Sequence, residues 1–174
     1  MIERLLIAGS GGQGIVLAGK LFATIAMKEV PNVTFFPAYG AEVRGGTSNC
    51  QVVLSSEEIT SPVCERFDSM IIMNQASADK FIPQITKDGL VITNSSLCRV
   101  SAGPSAIAVK ATELADDLGD IKTANFILLG AYMARKKIAT PSTVVEHIKR
   151  LFSNKGESLI DLNIKAFHTG LKQL

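Results

Sequence analysis

Hydrophobic and polar positions along the chain switch repeatedly between two periods. Leu5, Leu6, Ile7 and Ala8 form a short unbroken apolar run, the mark of a strand covered on both faces. From Ile15 to Lys28 the spacing becomes helical, with Leu17, Leu21 and Ile25 on one line and Ala18 and Phe22 beside it, until Pro31-Asn32 breaks it. Val33 to Phe36 predicts a second strand and Asn49 to Leu54 a third. Ser55 to Glu58 then reads as a turn into Ile59-Thr60, so the third strand and that pair predict an antiparallel hairpin. Further strands are predicted at Ser69 to Met73, Leu90 to Thr93 and Pro104 to Val109, with helices from Ala76 to Ile85 and from Ala111 to Leu118. Strands alternating with helices of this length predict an α/β domain: three layers, α/β/α, around a mainly parallel, Rossmann-like sheet with an added antiparallel hairpin. No repeat or low-complexity linker divides residues 1–174, which are expected to form a single domain.

The last third is helical throughout. Thr123 to Ile138 is apolar nearly all round (Phe126, Ile127, Leu128, Leu129, Ala131, Tyr132, Met133) and ends in Arg135-Lys136-Lys137, which suits a helix C-terminus. Such a helix is either the centre of its own core or buried against a partner. Thr140-Pro141 predicts the start of another helix, whose apolar side is Val144, Val145, Ile148 and Leu151, and Lys155 to Leu171 makes a last one.

Composition narrows the class. Hydrophobic residues make up 47% and charged residues 20% of the 174, a globular balance that leaves little room for disorder. A net charge of +2 gives no electrostatic case for nucleic acid or an anionic membrane. No apolar run approaches the roughly 20 residues of a membrane span. The first residues read as a strand carrying Glu3 and Arg4 rather than a signal peptide, so a cytoplasmic protein is expected. Cys50, Cys64 and Cys98 are widely separated with no C-x-x-C, which suits separate thiols rather than a disulfide framework, a zinc site or an iron–sulfur cluster. His147 and His168 fall in helical patterns and read as packing or surface residues.

Two segments carry candidate chemistry. The first strand runs into Gly9-Ser10-Gly11-Gly12-Gln13-Gly14, a G-x-G-x-x-G turn that opens a helix, the setting in which backbone amides cradle phosphates. A dinucleotide site also needs an acid about 20 residues further on to hold the ribose. Here the second apolar run ends in Pro37-Ala38-Tyr39-Gly40, with Glu29 before it and Glu42 well beyond it. The turn is therefore either an anion-binding element or one that docks a partner, and ordinary NAD(P) binding is disfavoured. The second segment, Pro37 to Thr47, is a glycine-rich loop in which Arg44 can meet a phosphate or carboxylate through two parallel hydrogen bonds; the alternative is a solvated connection. There is no H-E-x-x-H, no Walker sequence and no G-x-S-x-G, and Lys20 sits a turn into the helix without the Lys-Ser/Thr pair of a phosphate loop.

The Gly9–Ile15 turn, the run Tyr39-Gly40-Ala41-Glu42-Val43-Arg44-Gly45-Gly46-Thr47-Ser48-Asn49-Cys50 and the later Ile59-Thr60-Ser61-Pro62 together resemble the gamma subunit of 2-oxoacid:ferredoxin oxidoreductases. The Arg-Gly-Gly-Thr-x-Asn-Cys form is most like the 2-oxoglutarate branch. The resemblance implies an accessory chain in a complex that oxidatively decarboxylates a 2-oxoacid to its acyl-CoA, with electrons passed to ferredoxin or a similar acceptor. It implies no catalytic residue and no cofactor held by this chain alone. Thiamine diphosphate, Mg²⁺ and 4Fe–4S clusters are expected on partner alpha, beta and delta subunits, with CoA as co-substrate of the complex. Residues expected to contact CoA phosphate or a partner are Gly9, Gly11, Gly12, Gln13, Gly14, Tyr39, Glu42, Arg44, Gly45, Gly46 and Thr47. The competing reading is a free-standing NAD(P)-dependent oxidoreductase domain.

Overall fold

Alternate side chains of the first strand, β1 (Ile2–Ser10), enter two different cores. Leu5 and Ile7 point to one side of the sheet and Leu6 and Ala8 to the other, all of them buried. A computed structural model describes residues 1–39, 47–100 and 105–174. The remaining strands are β2 (Asn32–Tyr39), β3 (Thr47–Ser55), β4 (Phe67–Ile72), β5 (Ile85–Asn94) and β6 (Ala106–Val109). Their spatial order is β2-β3-β1-β4-β5-β6. β1, β4, β5 and β6 run parallel, while β3 is antiparallel to both β1 and β2. The α/β class expected from the alternating pattern is therefore the fold found, a mixed sheet between helices.

The helices are α1 (Ile15–Ala26), α2 (Gln75–Phe81), α3 (Ala111–Leu118), α4 (Ala124–Lys136), α5 (Pro141–Leu151) and α6 (Glu157–Leu171). They divide unequally. α1, α3, α4, α5 and α6 share one large core with one face of the sheet, whereas α2 packs on the smaller core on the other. No described helix is long and apolar enough to cross a membrane.

The apolar helix α4 is the centre of the protein's own core. Ala124 to Met133 are all buried, because the sheet lies on one side and α6 on the other. Two glycines allow that crossing: a Cβ on Gly130 would strike the Phe167 carbonyl of α6, and one on Gly170 would strike the Ile127 carbonyl of α4. A polar pin fixes the other side of the helix. Glu3 at the start of β1 accepts hydrogen bonds from Ser69 Oγ (2.5 Å), Tyr132 OH (3.1 Å) and Lys136 Nζ (2.9 Å). Three donors on one nearly buried carboxylate offset its loss of water. Phe22 of α1 meets the Tyr132 ring edge-on at 5.3 Å between centroids.

Two expectations need correcting. The antiparallel hairpin is present, but β3 pairs with β2 before it, and Ile59-Thr60 forms no strand. The apolar alternation was equally compatible with either neighbour; β2 wins because its Val33 and Phe35 pack against the α1 core. The fifth strand begins five residues early, at Ile85, through a bulge that holds polar Thr86, Lys87 and Asp88 between the Phe67–Ile85 and Ser69–Leu90 pairs. Elsewhere the agreement is close: α3 spans the expected residues, and Thr140 caps the helix that Pro141 opens, its side chain accepting from the Thr143 amide. Pro104, expected within the sixth strand, lies outside the described residues. His147 is buried with Nδ1 2.8 Å from the Thr143 carbonyl oxygen, and His168 is exposed.

Strand β2 is an edge. The Ser56 amide donates to the Met1 carbonyl (3.0 Å), so by alternation Gln51 of β3 bonds toward β2 and its partner Phe36 bonds inward. Pro37, the next residue, therefore faces the open side, where its missing N–H costs no ladder bond.

Gly130→Ala and Gly170→Ala should each destabilise the protein by about 1–3 kcal/mol, because the obstacle is backbone rather than a side chain that can turn away; urea midpoints read this. Burial pushes the Cys50 thiol up to about 12 against a weaker opposing hydrogen bond from the Gly19 backbone, and burial with the Glu3 charge pushes Tyr132 up as well. Both shifts favour the neutral form in the folded state. The stability they carry is complete below the ordinary thiol value of 9.0 and is lost as pH rises toward 12. The urea midpoint should therefore be flat from about pH 7 to about pH 9 and fall above that.

Candidate functional site

The glycine turn and the base of the Pro37–Thr47 loop meet at one edge of the sheet. Ser10 at the end of β1 lies opposite Thr47 at the start of β3, and Ser48 lies opposite Tyr39 at the end of β2. The neighbouring parallel strand, β4, ends at the same edge. From β1 the chain passes through α1 toward β2 on one flank, and from β4 through α2 toward β5 on the other. The gap between β1 and β4 is thus a topological switch point, where α/β proteins place ligands.

The turn is shaped by what its glycines exclude. A Cβ on Gly9 would collide with the Gln13 side chain, Ile15 and Met73. Gly14 holds φ at 70°, in the left-handed region, and the Asn125 amide nitrogen sits where its Cβ would go. That nitrogen donates to the Gly14 carbonyl at 3.1 Å, tying the turn to the first residues of α4. Gly14 is also the N-cap of α1, with no side-chain cap and no acid in the first turn of the helix. The amide end of α1 thus has no capping side chain or acid of its own, and Asp120 and Lys122 line the cavity beside it.

Side chains stitch the switch point. The Ser10 amide donates to Gln13 Oε1 (2.7 Å), and the Gln13 amide returns a bond to the Ser10 carbonyl (3.2 Å). Asn74, two residues past the end of β4, donates from Nδ2 to Ser10 Oγ (2.6 Å) and Gln13 Oε1 (3.3 Å), while its Oδ1 accepts from the Ser77 amide (2.9 Å) and caps α2. Asn94 makes the equivalent link one strand further on, donating to Thr112 Oγ1 (2.8 Å) and the Met73 carbonyl (3.3 Å). Ser10, Gln13 and Asn74 thus hydrogen-bond to one another across the gap between the ends of β1 and β4.

Gly9, Gly11, Gly12, Gln13 and Gly14 stand together, with Gly11 facing open space and Thr47 one strand away. Tyr39 contributes the last backbone position of β2. Glu42, Arg44, Gly45 and Gly46 lie outside the described residues, as does Gly40. Sequence reasoning missed Ser10, Asn74, Asn125 and Lys80, whose ammonium donates to Thr47 Oγ1 at 3.3 Å. Asn125 is 111 residues from Gly14, and no local pattern announces such a pair.

A cavity of about 250 Å³ adjoins the turn, lined chiefly by Gly12, Leu17, Phe126, Phe152, Leu159 and Asn163. A larger one, about 480 Å³, lies at the far end of α4 among Met133, Ile138, Phe167 and Leu171, and touches none of the turn residues. Among the described residues no group of three or more His, Cys, Asp or Glu side chains is placed to hold a metal ion. Cys50 and Cys98 are buried in different cores and Cys64 is half-buried, so the thiols do not form a ligand set.

A family model described as pyruvate ferredoxin/flavodoxin oxidoreductase matches residues 4–173. Ketoisovalerate oxidoreductase subunit VorA of Methanothermobacter thermautotrophicus is 36% identical over 169 residues; the match takes in 96% of this chain, which spans only 35% of that relative's length. 2-Oxoglutarate synthase subunit KorC of Archaeoglobus fulgidus is 32% identical over 167 residues, covering 95% of this chain and 84% of the relative. Among solved structures, 2-oxoglutarate:ferredoxin oxidoreductase from Magnetococcus marinus, with 2-oxoglutarate, coenzyme A and succinyl-CoA bound, shares the fold with a TM-score of 0.88. That likeness covers 99% of this chain and 31% of the other at 22% identity.

Replacing Asn74 by Ala removes the α2 cap and the bonds to Ser10 and Gln13 together. The expected loss is about 1–2 kcal/mol in thermal unfolding, with faster hydrogen exchange at the Ser10 amide.

Proposed function

The chain belongs to the pyruvate ferredoxin/flavodoxin oxidoreductase family, and from that premise we propose that it is the gamma-type part of a cytoplasmic 2-oxoacid:ferredoxin oxidoreductase. The complex oxidatively decarboxylates a 2-oxoacid to its acyl-CoA and passes the electrons to ferredoxin or a similar acceptor. Thiamine diphosphate, Mg²⁺ and 4Fe–4S clusters belong to partner alpha, beta and delta subunits. Residues 1–174 act as one gamma-type domain with no catalytic residue of its own.

The observation that carries this reading for the site is the turn itself, an uncapped α1 N-terminus beside glycine amides at the edge from which the Arg44 loop springs. That arrangement suits the phosphates of CoA, and the Magnetococcus marinus structure that shares this fold has coenzyme A bound. Gly11 and Gly12 let the ligand approach the backbone, Gln13 holds the turn in shape, and Arg44 supplies a charge-assisted contact. Tyr39, Glu42, Gly45, Gly46 and Thr47 belong to the same loop and shape its contact with CoA or a partner. The free-standing NAD(P) enzyme is the weaker reading, because no acid closes β2 and Asn74 is hydrogen-bonded to Ser10 and Gln13 across the gap where a dinucleotide would lie.

For the substrate, the Arg44–Cys50 form and the KorC relative favour 2-oxoglutarate. The 36% identity to VorA favours ketoisovalerate as the second reading. Ferredoxin reduction by the purified complex should show a higher kcat/KM for 2-oxoglutarate than for ketoisovalerate; the reverse order installs the branched-chain acid. Arg44→Gln should raise the KM for CoA about tenfold in an intact complex, and an unchanged value would remove CoA from this chain.

A further inference from the structure

Beside the amide turn lies a second group of donors, made of side chains. Ser10 and Thr47 are direct partners across β1 and β3, so their hydroxyls leave the sheet on the same face. It is the face of Leu6 and Ala8, on which α2 packs, and α2 carries Lys80. Each hydroxyl has one acceptance used and keeps its own proton to donate. Ser10 Oγ accepts from Asn74 Nδ2 (2.6 Å), and no described residue takes its own proton. Thr47 Oγ1 accepts from Lys80 Nζ (3.3 Å), and its proton is likewise untaken among the described residues. Gln13 Oε1 is used twice, by the Ser10 amide and by Asn74, and no described residue accepts its two Nε2 protons. Lys80 spends one of three ammonium protons on Thr47. Its acidic neighbour Asp79 accepts from Gln75 Nε2 at 2.8 Å. The ammonium also rests 5.1 Å from the centroid of the Phe81 ring, which limits its wandering.

We propose that Ser10, Gln13, Thr47 and Lys80 form an anion seat for a phosphate monoester, and, resting on the CoA reading above, that its occupant is the 3′-phosphate of CoA. The chemistry selects the class. Two hydroxyls, a primary amide and an ammonium all donate at one edge, and an oxyanion with a charge near −2 and three free oxygens can use them all. A phosphodiester or diphosphate offers fewer free oxygens per phosphorus and suits the backbone amides of the turn instead. The seat and the turn thus divide CoA's charges, the ester phosphate going to the α2 face and the diphosphate to the glycine amides.

The test uses the assembled complex with CoA and 3′-dephospho-CoA as probes. Lys80→Gln should raise the KM for CoA about tenfold with little change in kcat, leave the KM for 3′-dephospho-CoA where it stood, and be rescued by Lys80→Arg. Thr47→Val should move the same constant in the same direction by a smaller factor. An unchanged KM for CoA, an equal rise for both probes, or loss of a subunit on gel filtration would overturn the seat, the last by assigning the donors to a partner's carboxylate. Arg44→Gln run alongside separates the two failures. If it alone raises the KM, CoA touches this chain but not the seat; if neither variant does, the CoA reading fails with it.

Discussion

Helix α4 holds both ends of the unit that carries the candidate site. At its C-terminal half Tyr132 and Lys136 grip Glu3, where β1 begins, and at its N-terminus Asn125 grips Gly14, where the turn after β1 ends. Strand, turn and helix α1 are therefore braced against one rigid bar. The bar is rigid because it is buried on every side, and it is buried because Gly130 and Gly170 let α6 close over it. The position of the glycine turn is thus set by contacts more than 100 residues away in sequence.

Within that frame the polar groups are economical. Gln13, Asn74 and Asn94 each satisfy backbone or side-chain partners on two elements, so the ends of β1, β4 and β5 are joined without a buried charge. The same bonds leave the Ser10 and Thr47 hydroxyls each with a proton that no described residue accepts.

Much of the fold was legible in the sequence, for local reasons. Ala111 to Leu118, Thr140-Pro141 and the apolar run at Leu5 announce themselves through capping chemistry and period, which need no partner. The hairpin partner was misread because the strand at Asn49–Leu54 has turn-like residues on both sides, and only the α1 core decides between them. The early start of β5 was hidden by a polar bulge that looks like a turn. For the site, the glycines were visible because they must be glycine, whereas Asn74, Asn125 and Lys80 are ordinary residue types given meaning by long-range contact. The burial of α4 within this chain, rather than against a partner, likewise became decidable only once α6 was placed.

The proline at the open edge of β2 bears on how such a chain joins others. A new strand laid along that edge would find donors at Val33 and Phe35 and none at Pro37, so at least one of its carbonyls would be stranded. Continuous sheets, whether in an ordered assembly or in an aggregate, are thereby discouraged at the site end of the molecule. Neighbours on this flank must recognise side chains and loops, which carry sequence information, instead of bare backbone, which carries almost none. An edge that refuses anonymous pairing is a filter for the right company.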